Sequence, residues 1–542
     1  MRQRAMLCWI GGLVWPLLAA AAEPYTYVHH PVSTDRVAAQ EAFDRGLTMI
    51  YAYAPDEAQQ SFELAAKLDP SLAMAWWGIA LSHGANINSE PQLEGTHQAA
   101  AALEHASELA RAHGTAEEQA YIAALTTRYS SEPQPDFDAL ARNYCEAMRA
   151  LVLAHPEDAD AGALYAEALM DLHPWRLWSS EGLPAPGTEE LVAMLEQHLA
   201  RAPLHIGLMH FYIHAVEASP HPERALSVAR RLGSLTMEPA AAHLVHMPAH
   251  IYLRVGDWPA AIEANQHAVH HALDYRHSAY PGDHQACAHC LDFLRYAYGM
   301  VGNLAGARTA AEHFAELWDD PSERLSVLVQ FGQWDEVLEI PEPTRVERPH
   351  HSNAHFTHGF WHYARGMALT ATAHPEQAET ELAALRSEAA QLPARYIIAP
   401  GQLGLEHTLD DLFRQGDLET LALADAVLSA RLAAARGHSA EAIAHWRRAV
   451  DLQDRISYSE PPLWYYPVRD SLGAALLRSG AAREAEAVFR QDLQRTPNDP
   501  RGYFGLAAAC SALNQGAAAA QAEARFRSLW QPTDQPLALA DL

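Results

Sequence analysis

The segment GLTMIYAYAPDEAQQSFELAAKLDPSLAMAW, residues 46–76, decides the fold. Read back from Pro70, the small residues Gly46, Ala58 and Ala65 and the aromatic Phe62 fall at the offsets of a helix-turn-helix unit of about 34 residues. In such a unit small side chains let two helices approach, one aromatic fills the gap, and a proline closes the pair. Trp76 then takes the first aromatic position of a following unit. The register returns near the C-terminus at Leu472, Gly473, Ala485, Phe489 and Pro497, and Tyr503 and Leu506 begin another unit. Fainter copies lie at Tyr252, Trp258, Ala261 and Ala268, at Tyr298, Leu304 and Ala307, at Gly366 and Ala378, and at Ala442, Trp446 and Ala449. Segments 83–97, 175–187, 275–284 and 341–353 break the period and read as insertions. Almost nowhere do apolar and polar residues alternate with β-branched enrichment, so sheet content is expected to be negligible.

This register resembles the tetratricopeptide repeat (TPR) family. The resemblance implies an all-α, TPR-like helix-turn-helix solenoid, a right-handed α-α superhelix in which the first helix of each pair lines a concave binding face. The expected organisation is a signal peptide over residues 1–22, N-terminal repeats over 23–200, a His-rich centre over 201–300 and C-terminal repeats over 301–542, all in one continuous array.

The signal-peptide reading rests on Arg2 and Arg4, an apolar run from Ala5 to Leu18, and small residues up to Ala22. It predicts a periplasmic or secreted protein. No later stretch reaches about 18 uninterrupted apolar residues, so no membrane span is expected. With 49% hydrophobic residues the chain can bury a core, and a formal net charge of −29 makes nucleic acid a poor partner. Four cysteines follow the leader, too few to frame so long a chain. Of these, Cys287 and Cys290 in DHQACAHC form a disulfide, hold a metal or remain inert thiols.

Histidine is the unusual residue. The chain has 32, and 20 of them fall between His198 and His362. Within residues 202–258 one helix is expected to carry His205, His210, His214 and Glu217. After a proline-broken turn and a plain amphipathic helix, another carries His243, His246 and His250. Pairs four apart share a helix face, which presents two imidazoles to one metal or one groove. Further inner helices carry His284 and His289, and His355, His358 and His362. The metal reading takes His210, His214, His246, His250, His284 and His289 as ligands of Zn, Cu or Fe, with Glu217 or Asp283 as ligand or orienting carboxylate. The competing reading is a polar wall of mutually bonded histidines. Pro248, inside HMPAH, either kinks that helix or marks its start. Tyr212, Tyr252, Trp175, Trp178 and Trp464 are the aromatic candidates for the groove, with packing of irregular joints as their other use. No HExxH, nucleophile elbow or Gly-rich phosphate loop occurs.

The pieces HFYIHAVEASPHPERA (210–225), HLVHMPAHIYLRVGDW (243–258) and EPPLWYYPVRDSLGAALL (460–477) resemble an exported bacterial TPR family. The resemblance implies a groove lined by His210, His214, Glu217, His246 and His250, and no particular reaction. Where that pattern has a second histidine, this chain has Asp292, which either replaces that ligand or marks an altered site, with His284 as the compensating residue. The expected function is a scaffold that binds a peptide, protein or small molecule in a His-lined groove with a bound metal. The alternative is a metal-dependent oxidase or hydrolase with Glu217 as general base.

Overall fold

Phe62 explains the spacing of the first repeat. A Cβ added at Gly46 would stand 2.7 Å from its ring, and one at Gly78 only 2.3 Å. Phe62 is therefore seated between two successive inner helices that only glycine lets it touch. The C-terminal repeat does the same, with Phe489 pressed between Gly473 and Gly505 at 2.4 and 2.1 Å from their virtual Cβ positions.

The computed structural model describes residues 25–277, 284–318, 320–345, 353–392, 409–531 and 536–542. The expected leader, residues 1–22, lies outside them. Among the described residues there is no strand, only isolated bridges at Asn86–Ser89 and Trp178–Pro184, as the lack of alternation implied. Each helix packs on the next, and inner helices also meet one another. Val37–Tyr51, Ala73–Leu81 and Ala116–Thr126 touch in turn, and so do His284–Met300, Ser322–Gln330, Ala354–Ala371 and Leu409–Ala435. This ladder is what makes the fold an α-solenoid. No described helix is long and apolar enough to cross a membrane.

The array also folds back on itself. Val37–Tyr51 reaches Ile206–Glu217. From the other end, Trp258 Nε1 donates to Asn498 O at 2.8 Å, Arg501 Nη1 to Gly299 O at 2.8 Å, and the Gln531 amide to Val301 O at 2.8 Å. The C-terminal repeats thus rest against the helices that carry the central histidines.

The extended lead before the first helix is locked by Asp160. Its carboxylate accepts from His30 Nδ1 at 2.9 Å, His205 Nε2 at 2.9 Å and the Tyr51 hydroxyl at 2.8 Å. Burial lowers the His30 pKa, but the bond to Asp160 outweighs it and the net direction is upward from 6.5. A raised folded pKa means that the contribution is complete below the unfolded value and fades as pH rises through the folded one. His30→Ala is expected to lower unfolding free energy by about 1.5–3 kcal/mol near pH 5.5 and by roughly 1 near pH 9. Urea titrations at the two pH values check this, and equal losses at both would sink the assignment.

Candidate metal centre

The Ile206–Glu217 helix is buried along its whole length, so it is apolar on every face except where His210 and His214 stand one turn apart. His205 caps it, its ring accepting from the Leu208 amide. Opposite it, residues 242–254 form two short helices, Ala242–His246 and Pro248–Arg254, with Pro248 opening the second. Both sequence readings of that proline therefore apply: it breaks the helix, and it starts the next. Across the break His246 and His250 still meet, with ring centroids 4.5 Å apart. The His284–Met300 helix brings in His289, 4.8 Å from the His246 ring.

One ring nitrogen from each of His210, His214 and His243 lies within 4.8 Å of the others, and the same holds for His246, His250 and His289. The two clusters adjoin, since the His214 and His250 rings are 5.6 Å apart. His210, His214, His246 and His250 are all at most 3% exposed.

The hydrogen bonds orient these rings. His210 Nδ1 faces the Tyr51 carbonyl at 2.7 Å, an acceptor only, so it donates. His246 Nδ1 faces Asn265 Oδ1 at 2.6 Å, and Asn265 is fixed that way round because its amide donates to Ala261 O. His214 Nδ1 donates to Glu217 Oε1 at 2.6 Å, and His250 Nδ1 to Glu217 Oε2 at 2.5 Å. Four imidazoles thus have Nδ1 committed to an acceptor, which leaves Nε2 as the nitrogen open to a cation. Those Nε2 atoms lack good partners. His246 and His250 set theirs 2.6 Å apart, His210 and His243 theirs 3.0 Å apart, and His214 Nε2 is buried with no partner. Burial, then neighbouring histidines, holds His210, His243 and His246 well below their ordinary pKa, and His289 falls to about 3 for the same reasons. A proton is therefore a poor bridge between the facing nitrogens of His210 and His243.

Glu217 joins the clusters, with one carboxylate oxygen on each. Burial raises its pKa, but His250 and His214 more than offset this and hold it well below the usual range. Glu460 lies beside it, with Oε2 2.5 Å from His250 Nδ1, and the Tyr458 hydroxyl reaches Glu217 Oε2 at 3.1 Å. Burial and the adjacent Glu217 charge push Glu460 well above its ordinary value, toward the neutral acid. Tyr53 covers the first cluster, its ring 4.8 Å from His210 and 5.4 Å from His243. Its φ of +54° is a left-handed backbone that is strained for a residue with a side chain.

Of the six histidines proposed from sequence, five stand in the clusters, divided between them; the His284 side chain and Asp283 lie outside the described residues. His243, a member of the His-bearing helix, completes the first cluster. Asp292 stands outside both clusters, where Arg295 holds it at 2.6 and 2.8 Å. His355 and His362 pair with Glu388 and Glu381, away from the clusters. Tyr212 sends its hydroxyl to Glu196, Trp178 donates to Ala215 O, and Tyr252 is buried by packing. Trp175 adopts a φ of +60° in the turn before them. Trp464 lines a cavity of about 200 Å³ that opens on His250 and Glu460, together with Arg254, Phe293 and Tyr458. Tyr53, Asn265, Tyr458 and Glu460 carry no spacing signal in the sequence, because they reach the cluster from helices and loops far along the chain.

The fold and the site together define an α-solenoid with two adjoining imidazole clusters. No protein-family model matches the chain, and no curated protein matches it. Among solved structures it is similar to the human IFIT1 dimer with PPP-AAAA, at 12% identity over 89% of each chain and a TM-score of 0.31. It is also similar to yeast Tom70, at 12% identity over 91% of this chain and 92% of that one, with a TM-score of 0.31.

Proposed function

We propose that this chain is an exported helical-repeat protein that binds a pair of transition-metal ions, one in each three-histidine cluster. The observation that carries this reading is the orientation of the rings: every traced Nδ1 is spent on an acceptor, and the Nε2 atoms of His246 and His250 and of His210 and His243 converge. Imidazole favours Zn, Cu or Fe over hard cations. A metal bound by nitrogens at about 2.05 Å in tetrahedral geometry needs them about 3.3 Å apart. The facing pairs at 2.6 and 3.0 Å therefore need to part by only a fraction of an ångström.

A second reading, a metal-dependent hydrolase or oxidase, is favoured by the cavity at His250. Three protein ligands leave an ion with an open position, and the cavity beside it is of a size for a small substrate. In that reading Glu217, engaged by two imidazoles, is a positioning residue and not the general base.

The test is elemental analysis of tag-free protein equilibrated with Zn or Cu and then dialysed. About two ions per chain are expected, with about one left in His246→Ala/His250→Ala and about one in His210→Ala/His214→Ala. A folded helical protein that retains no ion would falsify the proposal.

A further inference from the structure

Asp470, Asp492 and Asp499 form a further cluster of metal-ligand type, remote in chemistry from the histidines. Asp470 stands in the Val468–Arg478 helix, Asp492 in Ala482–Arg495, and Asp499 caps Pro500–Ala512. One oxygen from each lies within 4.8 Å of the others, and the three residues are 0%, 1% and 0% exposed.

Three buried carboxylates need compensation, and the hydrogen bonds do not supply it. Both Asp470 oxygens and Asp492 Oδ2 meet no N–H or hydroxyl donor, and the hydrogen bonds that Asp470 and Asp492 can form with Asp499 need a proton on a carboxyl group. Asp499 is satisfied by the Arg501 and Gly502 amides at 3.0 and 3.1 Å, as a helix cap should be. The nearby guanidiniums of Arg501, Arg469 and Arg495 supply favourable charge, but their hydrogen bonds and ion pairs go to other groups. Arg469 grips Asp454, and Arg501 donates to Gly299 O and lies over the Trp530 ring. An unpartnered buried carboxylate is among the costliest groups a fold can carry. Space beside these oxygens is preserved by Gly502, where a Cβ would stand 3.0 Å from Asp492 Oδ2 and 3.2 Å from Asp499 Oδ2.

We infer that Asp470, Asp492 and Asp499 form a binding site for one hard divalent cation of the calcium or magnesium class. The donors are all carboxylate oxygens, which such ions prefer and which the imidazole-seeking metals do not require. The location gives the ion a task. Asp492 and Asp499 bracket residues 496–498, and Asn498 accepts from Trp258 and donates toward Val255 O and Gly256 O. An ion tying the three helices together stiffens the corner by which the C-terminal repeats dock on the His-bearing helix. The competing state, with no ion, is one in which Asp470 and Asp492 stay protonated. Burial and then the Asp499 charge push both in that direction.

The experiment uses full-length protein dialysed against chelator, then titrated with CaCl2 or MgCl2 alone, with bound ion and thermal midpoint both read. About one ion per chain and a midpoint that climbs with its concentration are expected. Asp470→Asn/Asp492→Asn should lose both responses, and Gly502→Ala should weaken binding while leaving helical content unchanged. His246→Ala/His250→Ala should keep both responses, which separates this site from the histidine clusters. No bound ion and no midpoint shift in the wild-type chain overturn the inference, as does undiminished binding in the double Asn variant. If that variant does not fold, the wild-type and Gly502→Ala titrations decide.

Discussion

Glu217→Gln is expected to weaken metal binding by about 10–100-fold at one of the two histidine clusters, the one whose ring then meets the amide nitrogen. One carboxylate there performs two tasks, with Oε1 accepting from His214 and Oε2 from His250. Glutamine keeps the shape but offers one acceptor and one donor. One of the two rings must then face an NH2 group, which drives its proton from Nδ1 to Nε2 and blocks the nitrogen that would bind the ion. Glu460→Gln is the control. Glu460 is pushed toward the neutral acid, which an amide resembles, so its effect should stay below about 3-fold. Competition against a chromophoric chelator measures both variants. A Glu217→Gln protein with unchanged affinity at both clusters would show that the carboxylate does not orient the ligands.

Gly256→Val should destabilise the protein by about 2–5 kcal/mol, the sum of left-handed backbone strain and overpacking. Gly256 has φ +70°, and a Cβ there would stand 1.8 Å from Pro497 O, a backbone atom with no rotamer by which to retreat. The contact is the seat of the C-terminal repeats, next to the Trp258–Asn498 bond. Forcing it apart should also draw Tyr458 and Glu460 away from Glu217, so metal affinity is expected to fall alongside stability. Urea unfolding followed by helical signal, together with the chelator titration, reads the two effects. A variant as stable as the parent would mean that the repeats do not depend on this seat.

Much of this protein was legible along the chain because it is local. A helix pair packs within a few dozen residues, so Gly46, Phe62, Gly473 and Phe489 announce it by spacing alone, and the absence of sheet follows from the same periodicity. The i,i+4 pairs His210–His214 and His246–His250 are equally local, since helix geometry alone puts both rings on one face. What spacing does not encode is which distant groups arrive. The division of the histidines into two clusters, the completion of one by His243 under the Tyr53 ring, and the double grip of Glu217 all depend on two helices meeting across Pro248. Asp292 looked like a ligand in sequence and proved to be the partner of Arg295 one turn away. Glu460 and Tyr458, more than two hundred residues beyond Glu217, reach it only because the solenoid folds back on itself. The sequence by itself determined the repeat and the histidine faces, which need only neighbours along a helix. Tertiary structure alone decided that Glu217 serves both clusters and that Glu460 joins it, because the folding back of the array brings together residues that share no period.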